Sequence, residues 1–200
     1  MAWEPISGET PIDPSHLKIA GISTRSQLNI IEAENIRHAV MKYLAVRPTR
    51  RVAKFDYGWV LQLHSEMFGD VWTWAGQLRH SDGHNIGITW HAVPEALATL
   101  LDDLPAWCEF SMDVVEQATR LHHRAVQIHP FCNGNGRWSR MLANIWLRLH
   151  DHPLIQWPES VIGEESPIRQ QYINAMRIAD QGDIQPLLQL HRQFAETGRE

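Results

Sequence analysis

The chain has 200 residues, of which 44% are hydrophobic, enough for one domain with a real core. The formal net charge of −5 gives no bulk attraction to nucleic acid or to an anionic membrane surface. Cys108 and Cys132 form no CxxC pair, which favours a reduced, cytoplasmic protein. The N-terminus lacks a signal-peptide pattern, and no apolar run reaches the ~20 residues that span a bilayer. We therefore expect direct binding to neither nucleic acid nor membrane.

Helices and turns can be predicted from periodicity and capping residues. Residues 1–25, rich in Pro, Gly and Ser, predict an irregular arm that lies on the domain. Apolar spacing and caps predict helices over 26–46, 56–69, from Pro94 to about 109, from Asp113 to just before Pro130, over 136–150, from Ser166 to Gly182, and from Asp183 onward. Residues 78–89 alternate around a favoured tight-turn pair, Asp82-Gly83, and predict a hairpin. The predicted fold class is all-α with a small β-hairpin.

The most informative stretch is the run from His129 to Arg140, HPFCNGNGRWSR. Its glycines, Gly134 to Gly136, fall at the predicted start of a helix, where backbone N–H groups and the helix dipole favour an anion. Arg137 and Arg140 lie three residues apart and supply forked donors for phosphate. His129 can take a proton near neutral pH without environmental tuning. The run therefore predicts transfer of a phosphate-containing group to a hydroxyl.

The run also resembles the signature of the Fic family, His-x-Phe-x-Asp/Glu-Gly-Asn-Gly-Arg-x-x-Arg. All defined positions match except one, because Asn133 stands where the family carries an acid. Residues 118–128, 71–76 and 172–188 resemble the parts that surround this loop in Fic domains. The opening stretch, with Thr24-Arg25, Leu28-Asn29 and Asn35-Ile36, resembles the subgroup called mobile mystery protein B. The expected organisation is an arm (1–25), an N-terminal helix with its linker (26–55) and a Fic/Fido domain (56–196), folded as a Fic-type helical bundle with a flap.

This resemblance implies a protein adenylyltransferase, which transfers AMP from ATP, with Mg²⁺, to a Tyr, Ser or Thr hydroxyl of a target protein. The family's residue roles carry over position by position: general base His129, loop anchor Phe131, backbone phosphate donors Gly134 and Gly136, α-phosphate residue Asn135, β-phosphate residue Arg137 and γ-phosphate residue Arg140. The resemblance to mobile mystery protein B implies a small helix-turn-helix partner protein encoded nearby, in a bacterial cytoplasm.

The predicted hairpin resembles the Fic flap, which aligns the target backbone by strand addition. Its candidate docking residues form an exposed edge and are Arg79, His80, Ser81, Asp82, Gly83, His84, Asn85 and Ile86. A plain structural ribbon is the alternative for this segment.

Asn133 leaves the metal and the rate of transfer open. Mg²⁺ prefers hard anionic oxygens, whereas an amide oxygen carries no net charge. Either the metal binds chiefly through the phosphates with Asn133 assisting, or catalysis is slow, or the chain is a weakly catalytic, toxin-like module that acts with a partner protein. A Doc-like protein phosphotransferase is a further alternative. The retained Gly136 argues against it, because Doc-like sequences resemble Ala-Asn-Lys at this part of the loop.

Two glutamates of the first predicted helix are candidates for self-inhibition. In some Fic proteins an N-terminal helix carries a segment that resembles Ser/Thr-x-x-x-Glu-Gly/Asn. The Glu of that segment pairs with the second arginine of the Fic motif. Glu34 matches the end of that pattern, but Ile30 occupies the hydroxyl position and Glu34 faces away from the apolar stripe. Glu32 falls within the stripe, where an acid needs a partner. We hypothesise that Glu32 reaches an arginine of the site, with Arg140 as the candidate, and a local partner is the alternative.

The histidines His122, His123 and His129 match no common zinc spacing. His122 and His123 lie on the helix that leads into the glycine loop. We expect at least one of them to pack the loop from behind.

Overall fold

The computed structural model describes residues 13–82, 86–158 and 166–196, and within these ranges the chain forms a bundle of seven α-helices. They are α1 (Arg25–Tyr43), α2 (Tyr57–Phe68), α3 (Val93–Glu109), α4 (Val114–Ile128), α5 (Asn135–Leu149), α6 (Pro167–Asp180) and α7 (Gln185–Glu196). The all-α prediction is confirmed. No helix within the described ranges is long and apolar enough to cross a membrane.

The helices begin where capping residues predict. Thr24 caps α1 by a capping box, in which its hydroxyl accepts the Gln27 N–H and the Gln27 carboxamide accepts the Thr24 N–H, each at 3.2 Å. Side chains of Asp56, Asp113 and Ser166 accept an N–H from the first turns of α2, α4 and α6. Each such cap contributes about 1 kcal/mol to stability. These caps fix where the helices around the glycine loop begin.

Helices α4 and α5 pack against each other at the centre of the bundle, and the loop between them carries the His129–Gly136 run. Helices α3 and α7 contact α4, α1 packs against α2, and α6 packs against α7. The fully buried Trp138 and Trp146 on α5 dominate the core. Trp146 Nε1 donates to Gln117 on α4 at 3.0 Å, so the buried indole N–H is satisfied. The loop is therefore held between the two most closely packed helices.

The first helix presents its buried stripe as the sequence pattern predicts. Leu28, Glu32, Asn35, Ala39 and Tyr43 are the buried residues of α1. They recur at intervals of three and four and face α2. Glu32 therefore lies inside the protein.

The irregular arm is described from residue 13 onward and lies on the segment that leads to the flap. Leu17 forms an antiparallel bridge with Trp72. The Lys18 N–H donates to the Val71 carbonyl at 2.9 Å. Residues 1–12 lie outside the described ranges.

In the flap segment, residues 78–89, the predicted β-hairpin is not seen among the residues that the structure describes. Leu78 forms its bridge with Phe131 of the glycine loop instead of with the far side of the segment. The Asp82 carboxylate accepts the Trp90 N–H at 2.6 Å and also binds Arg79. These contacts fold the segment onto the loop. The turn residues Gly83, His84 and Asn85 lie outside the described residues.

Buried histidines make the stability of the fold sensitive to acid. Burial lowers the pKa of His64 to about 3 and that of His191 to about 4. In the unfolded chain both imidazoles take a proton as the pH falls below about 6.5, whereas in the folded chain they stay neutral until far lower pH. At pH 5 each is expected to reduce the free energy of unfolding by about 2 kcal/mol relative to pH 7. Urea unfolding at both pH values measures the loss, and equal stabilities would contradict it.

Candidate active site

The loop after α4 is closed by one side chain. Asn135 Oδ1 accepts the Phe131 N–H at 2.9 Å, and Asn135 Nδ2 donates to the Phe131 carbonyl at 2.8 Å. The Asn135 side chain is therefore buried with both polar ends engaged. The role of Asn135 in holding the α-phosphate stays a prediction, and the side chain closes the loop. Its backbone N–H remains in the first turn of α5, where no intrahelical acceptor is available.

Phe131 anchors the loop, as predicted, and the ring of His64 packs against it. Phe131 is fully buried and stacks on the His64 ring with centroids 3.6 Å apart. His64 Nδ1 accepts the Gly76 N–H at 2.9 Å, so its proton is on Nε2, which donates to the Asn133 carbonyl at 3.1 Å. His64 thus connects α2, the segment before the flap and the loop.

The expectation that His122 or His123 packs the glycine loop from behind is wrong. His122 bonds to His191 on α7, and His123 bonds to Asp180 at the end of α6. Both side chains point towards α6 and α7. His64 takes the supporting position because it lies within the buried stripe of α2.

The two loop glycines differ in what the fold requires of them. Gly134 has φ +77°, and a Cβ there would lie 2.7 Å from Phe68 Cε2. Both the backbone and the packing therefore require glycine at this position. A Cβ at Gly136 would meet only the Arg140 guanidinium, at 3.6 Å, in ordinary contact. The fold itself does not require Gly136, and its lack of a side chain leaves the surface of the first turn of α5 open.

His129 ends α4 in the left-handed conformation, with φ 53°. Its carbonyl accepts a hydrogen bond from Arg79 Nε at 2.7 Å. Gly87, with φ +115°, packs against it so closely that a Cβ at Gly87 would lie 2.7 Å from His129 Cβ. Only 9% of His129 is exposed. The backbone of the predicted base is therefore fixed from the flap side.

Arg79 is a brace between the flap segment and the loop. Its guanidinium donates to the carbonyls of His129, Ser81 and Ile88 and to the Asp82 carboxylate, and only 2% of the residue is exposed. The prediction of an exposed docking side chain at Arg79 is wrong, because a buried guanidinium needs these acceptors. Other predicted docking residues are exposed: His80, Ser81, Asp82 and Ile86.

Arg137 projects from the first turn of α5 over the Phe68 ring, 4.8 Å from its centroid, and forms an ion pair with Glu32. Glu32 also accepts the Trp72 Nε1–H at 2.6 Å. Glu32 therefore does reach an arginine of the site, but the partner is Arg137 and not the expected Arg140. Trp72 holds the carboxylate beside Arg137, whereas Arg140 lies beside Tyr172 of α6.

Glu34 does not belong to the site. It is exposed and pairs with Arg37 at 2.7 Å and with His38 at 3.3 Å on the outer face of α1. The structure places Glu34 away from the arginines of the site, so the position of Glu34 does not support an inhibitory role.

Arg140 lies one turn after Arg137, beside the hydroxyl of Tyr172. Burial lowers the pKa of its guanidinium, and the Tyr172 hydroxyl opposes that shift. No carboxylate of the described ranges lies within ion-pair distance of Arg140. Because arginine stays protonated in proteins, the site holds one paired arginine and one that faces a neutral hydroxyl.

The Asn133 side chain is engaged within the loop. Asn133 Oδ1 accepts the Gly134 N–H at 2.6 Å, so the predicted Gly134 donor is engaged by the loop itself. In the parts of the chain that the structure describes, no group of three or more His, Cys, Asp or Glu side chains is arranged to hold a metal ion. Asn133 offers a metal ion a neutral amide oxygen, which Mg²⁺ prefers less than a carboxylate oxygen.

Comparison with known proteins relates part of the chain to one family. Residues 54–147 match the model of the Fic/DOC family. Protein adenylyltransferase fic-1 of Caenorhabditis briggsae is 26% identical over 143 residues, which cover 69% of this chain and 27% of that protein. Protein adenylyltransferase Fic of Drosophila grimshawi is 31% identical over 134 residues, which cover 64% and 26%. The chain thus matches about a quarter of the length of these curated relatives.

Solved structures show the same fold. Fic-1 of C. elegans superimposes with a TM-score of 0.72 at 23% identity, covering 90% of this chain and 52% of that one. BepC of Bartonella tribocorum, a VirB-translocated effector solved with bound AMPPNP, gives a TM-score of 0.67 at 19% identity, covering 94% and 93%. The bundle is therefore a Fic fold.

Proposed function

We propose that this chain is a protein adenylyltransferase that moves AMP from MgATP to a Tyr, Ser or Thr hydroxyl of a target protein. The observation that carries the proposal is that His129 ends α4 and opens the short loop into α5, the helix that carries Arg137 and Arg140. The names of the curated relatives, and the AMPPNP bound to BepC, support a nucleotide in this place.

In this mechanism the target hydroxyl attacks the α-phosphorus while His129 takes the hydroxyl proton. The bond between the α-phosphorus and its bridging oxygen breaks, and pyrophosphate leaves with that electron pair. The first-turn N–H groups of α5 hold the phosphates, Arg140 binds the γ-phosphate, and Arg137 binds the β-phosphate after it leaves Glu32. The chain contributes positioning and electrostatic stabilisation of charge on the transferred group.

Mg²⁺ belongs to the substrate in this proposal. Hard phosphate oxygens hold it, and the Asn133 amide oxygen assists once it turns away from the Gly134 N–H. A neutral ligand at this position gives weaker metal binding than the acid of other Fic proteins, and slower transfer follows.

The proposal is tested with radiolabelled ATP and lysate proteins, using wild type and His129→Ala. Label from the α-phosphate that requires His129 supports AMP transfer. Label from the γ-phosphate alone would assign the Doc-like phosphotransferase reaction, and mass spectrometry of the product distinguishes the two groups. If no label appears with several divalent metals, for wild type and Glu32→Gln alike, the chain is a nucleotide-binding module and not an efficient enzyme.

The target is proposed to dock on the exposed side of the flap segment. His80, Ser81, Asp82 and Ile86 offer an uncovered surface next to His129, and Gly83, His84 and Asn85 belong to the same segment. Arg79 stabilises this surface, because its buried guanidinium fixes the flap segment to the loop.

A finer assignment, to the mobile mystery protein B subgroup of bacterial cytoplasmic proteins, is also proposed. It rests on the opening stretch, from Thr24-Arg25 to Asn35-Ile36, and implies a small helix-turn-helix partner in a toxin–antitoxin-like pair. Co-purification with the product of an adjacent gene of that class tests the assignment.

Gly136 provides a separate prediction, because the fold does not need glycine there. Alanine has the higher helix propensity, so Gly136→Ala is expected to raise the free energy of unfolding by up to about 1 kcal/mol. The added methyl covers the surface where phosphate would approach, so ATP affinity is expected to fall by about tenfold. Urea unfolding and calorimetric titration with ATP measure the two effects. A variant that gains stability and keeps its ATP affinity would exclude the first turn of α5 as the phosphate cradle.

A further inference from the structure

A series of hydrogen bonds crosses the bundle and ends at the Tyr172 hydroxyl, beside Arg140. His191 Nδ1 lies 2.8 Å from the Leu187 carbonyl oxygen, and His191 Nε2 lies 3.0 Å from His122 Nδ1. His122 Nε2 lies 3.2 Å from the Tyr172 hydroxyl oxygen, and the Arg140 guanidinium neighbours that hydroxyl. With Arg140, the members come from α7, α4, α6 and α5, so the series connects four helices.

The donor and the acceptor of every hydrogen bond in this series are fixed. The Leu187 carbonyl can only accept, so His191 carries its proton on Nδ1 and accepts on Nε2. His122 must then donate from Nδ1 and accept on Nε2, because burial keeps both imidazoles neutral. The Tyr172 O–H therefore donates to His122. Its oxygen lone pairs are left to face Arg140.

This arrangement gives Arg140 an orienting partner that does not neutralise it. Arg137 is paired with a carboxylate, and a phosphate must displace Glu32 to reach it. A hydroxyl oxygen holds a guanidinium in place without cancelling its charge, so the attraction of Arg140 for an anion is retained. Packing fixes the hydroxyl further, because the Tyr172 ring stacks on His122 and meets the edge of Trp157.

We propose that Tyr172, His122 and His191 form a positioning relay that holds Arg140 as an unneutralised cation for the terminal phosphate of the nucleotide. The proposal rests on the proposed function, since it needs a triphosphate at the first turn of α5. None of the three relay residues touches the ligand. They act through Arg140 alone, so their effect is confined to ligands that carry the outer phosphates.

The test is Tyr172→Phe, which removes the hydroxyl and keeps the ring. Calorimetric titration of the full chain with MgATP and with AMP is the measurement, with Tyr43→Phe, a buried tyrosine at the far end of α1, as the matched control. ATP affinity is expected to fall by about tenfold, as expected when a hydrogen bond to a charged group is lost. AMP affinity is expected to stay within about twofold, because AMP lacks the phosphates that Arg140 contacts.

Two further variants separate the relay from a packing effect. His122→Gln keeps an acceptor for the Tyr172 hydroxyl and is expected to retain most ATP affinity, whereas His122→Leu is expected to behave like Tyr172→Phe. Equal losses of ATP and AMP affinity in Tyr172→Phe, or no loss of either, would overturn the relay while leaving the proposed function intact. Failure of wild type to bind ATP at all would overturn both.

Discussion

Replacing His129 with alanine is expected to lower the rate of AMP transfer by about 10²- to 10⁴-fold. Among residues 129–134, which join α4 to α5, His129 is the only histidine, and histidine is the side chain that takes a proton near neutral pH. ATP affinity is expected to remain within about twofold of wild type, because the first-turn N–H groups of α5 and the two arginines are unchanged. Transfer of α-labelled AMP and calorimetric titration measure the two quantities on the same preparations.

The conformation of His129 requires a second variant. Its φ of 53° is strained for alanine but tolerated by asparagine. His129→Asn therefore keeps the loop conformation and removes the base, and it is expected to lose activity equally. His38→Ala, on the exposed face of α1, controls for the removal of a histidine. Activity that survives both His129 substitutions would remove this residue from the mechanism.

Replacing Glu32 with glutamine is expected to raise the rate of AMP transfer and the affinity for ATP by about 10- to 100-fold. This factor corresponds to the free energy of one charge-assisted hydrogen bond, which ATP must displace in the wild type. Glu32 holds Arg137 in an ion pair, so the β-phosphate competes with a buried carboxylate for the same guanidinium. Glutamine keeps the size of the side chain and an oxygen for the Trp72 N–H, and removes only the charge. Titration with ATP and α-label transfer give the two numbers.

Glu34→Gln is the matched control for this prediction. Glu34 lies on the same helix, pairs with Arg37 and His38 in solvent, and faces away from Arg137. Its substitution is expected to change neither quantity, because exposed ion pairs contribute little. A decrease in activity on Glu32→Gln would instead mean that Glu32 orients Arg137 for the nucleotide, and no change would show that the pair does not compete with phosphate.

Much of the fold could be predicted from local signals. Thr24, Asp56, Asp113 and Ser166 carry side-chain acceptors at helix starts, and all four cap the predicted helices. The burial of Glu32 could also be predicted, since helical periodicity alone puts it on the apolar face. These features depend on neighbouring residues in the sequence, which is why a single sequence reveals them.

The hairpin predicted for the flap segment is not seen in the described part of the chain, because the Asp82 side chain makes other contacts. Asp82-Gly83 favours a tight turn, yet the Asp82 carboxylate binds Arg79 and the Trp90 N–H, and the segment pairs with Phe131 across the loop. A long-range bridge therefore replaced the local hairpin, and periodicity carries no information about such a partner.

The directions in which side chains point could not be predicted from the sequence either. The motif placed Asn135 in the loop but could not show that its amide turns inward to close it. Which arginine Glu32 reaches depends on Trp72, a residue of a distant segment. His64 offered a signal that was missed: a polar residue inside the apolar stripe of α2 implies a buried partner.

The most direct test of the central claim is a crystal structure of the Glu32→Gln variant with Mg²⁺ and a non-hydrolysable ATP analogue. We expect the triphosphate to lie along the first turn of α5, with the γ-phosphate on Arg140, the β-phosphate on Arg137 and the His129 imidazole next to the α-phosphorus. A nucleotide bound elsewhere, or an imidazole turned away from the α-phosphorus, would contradict the account.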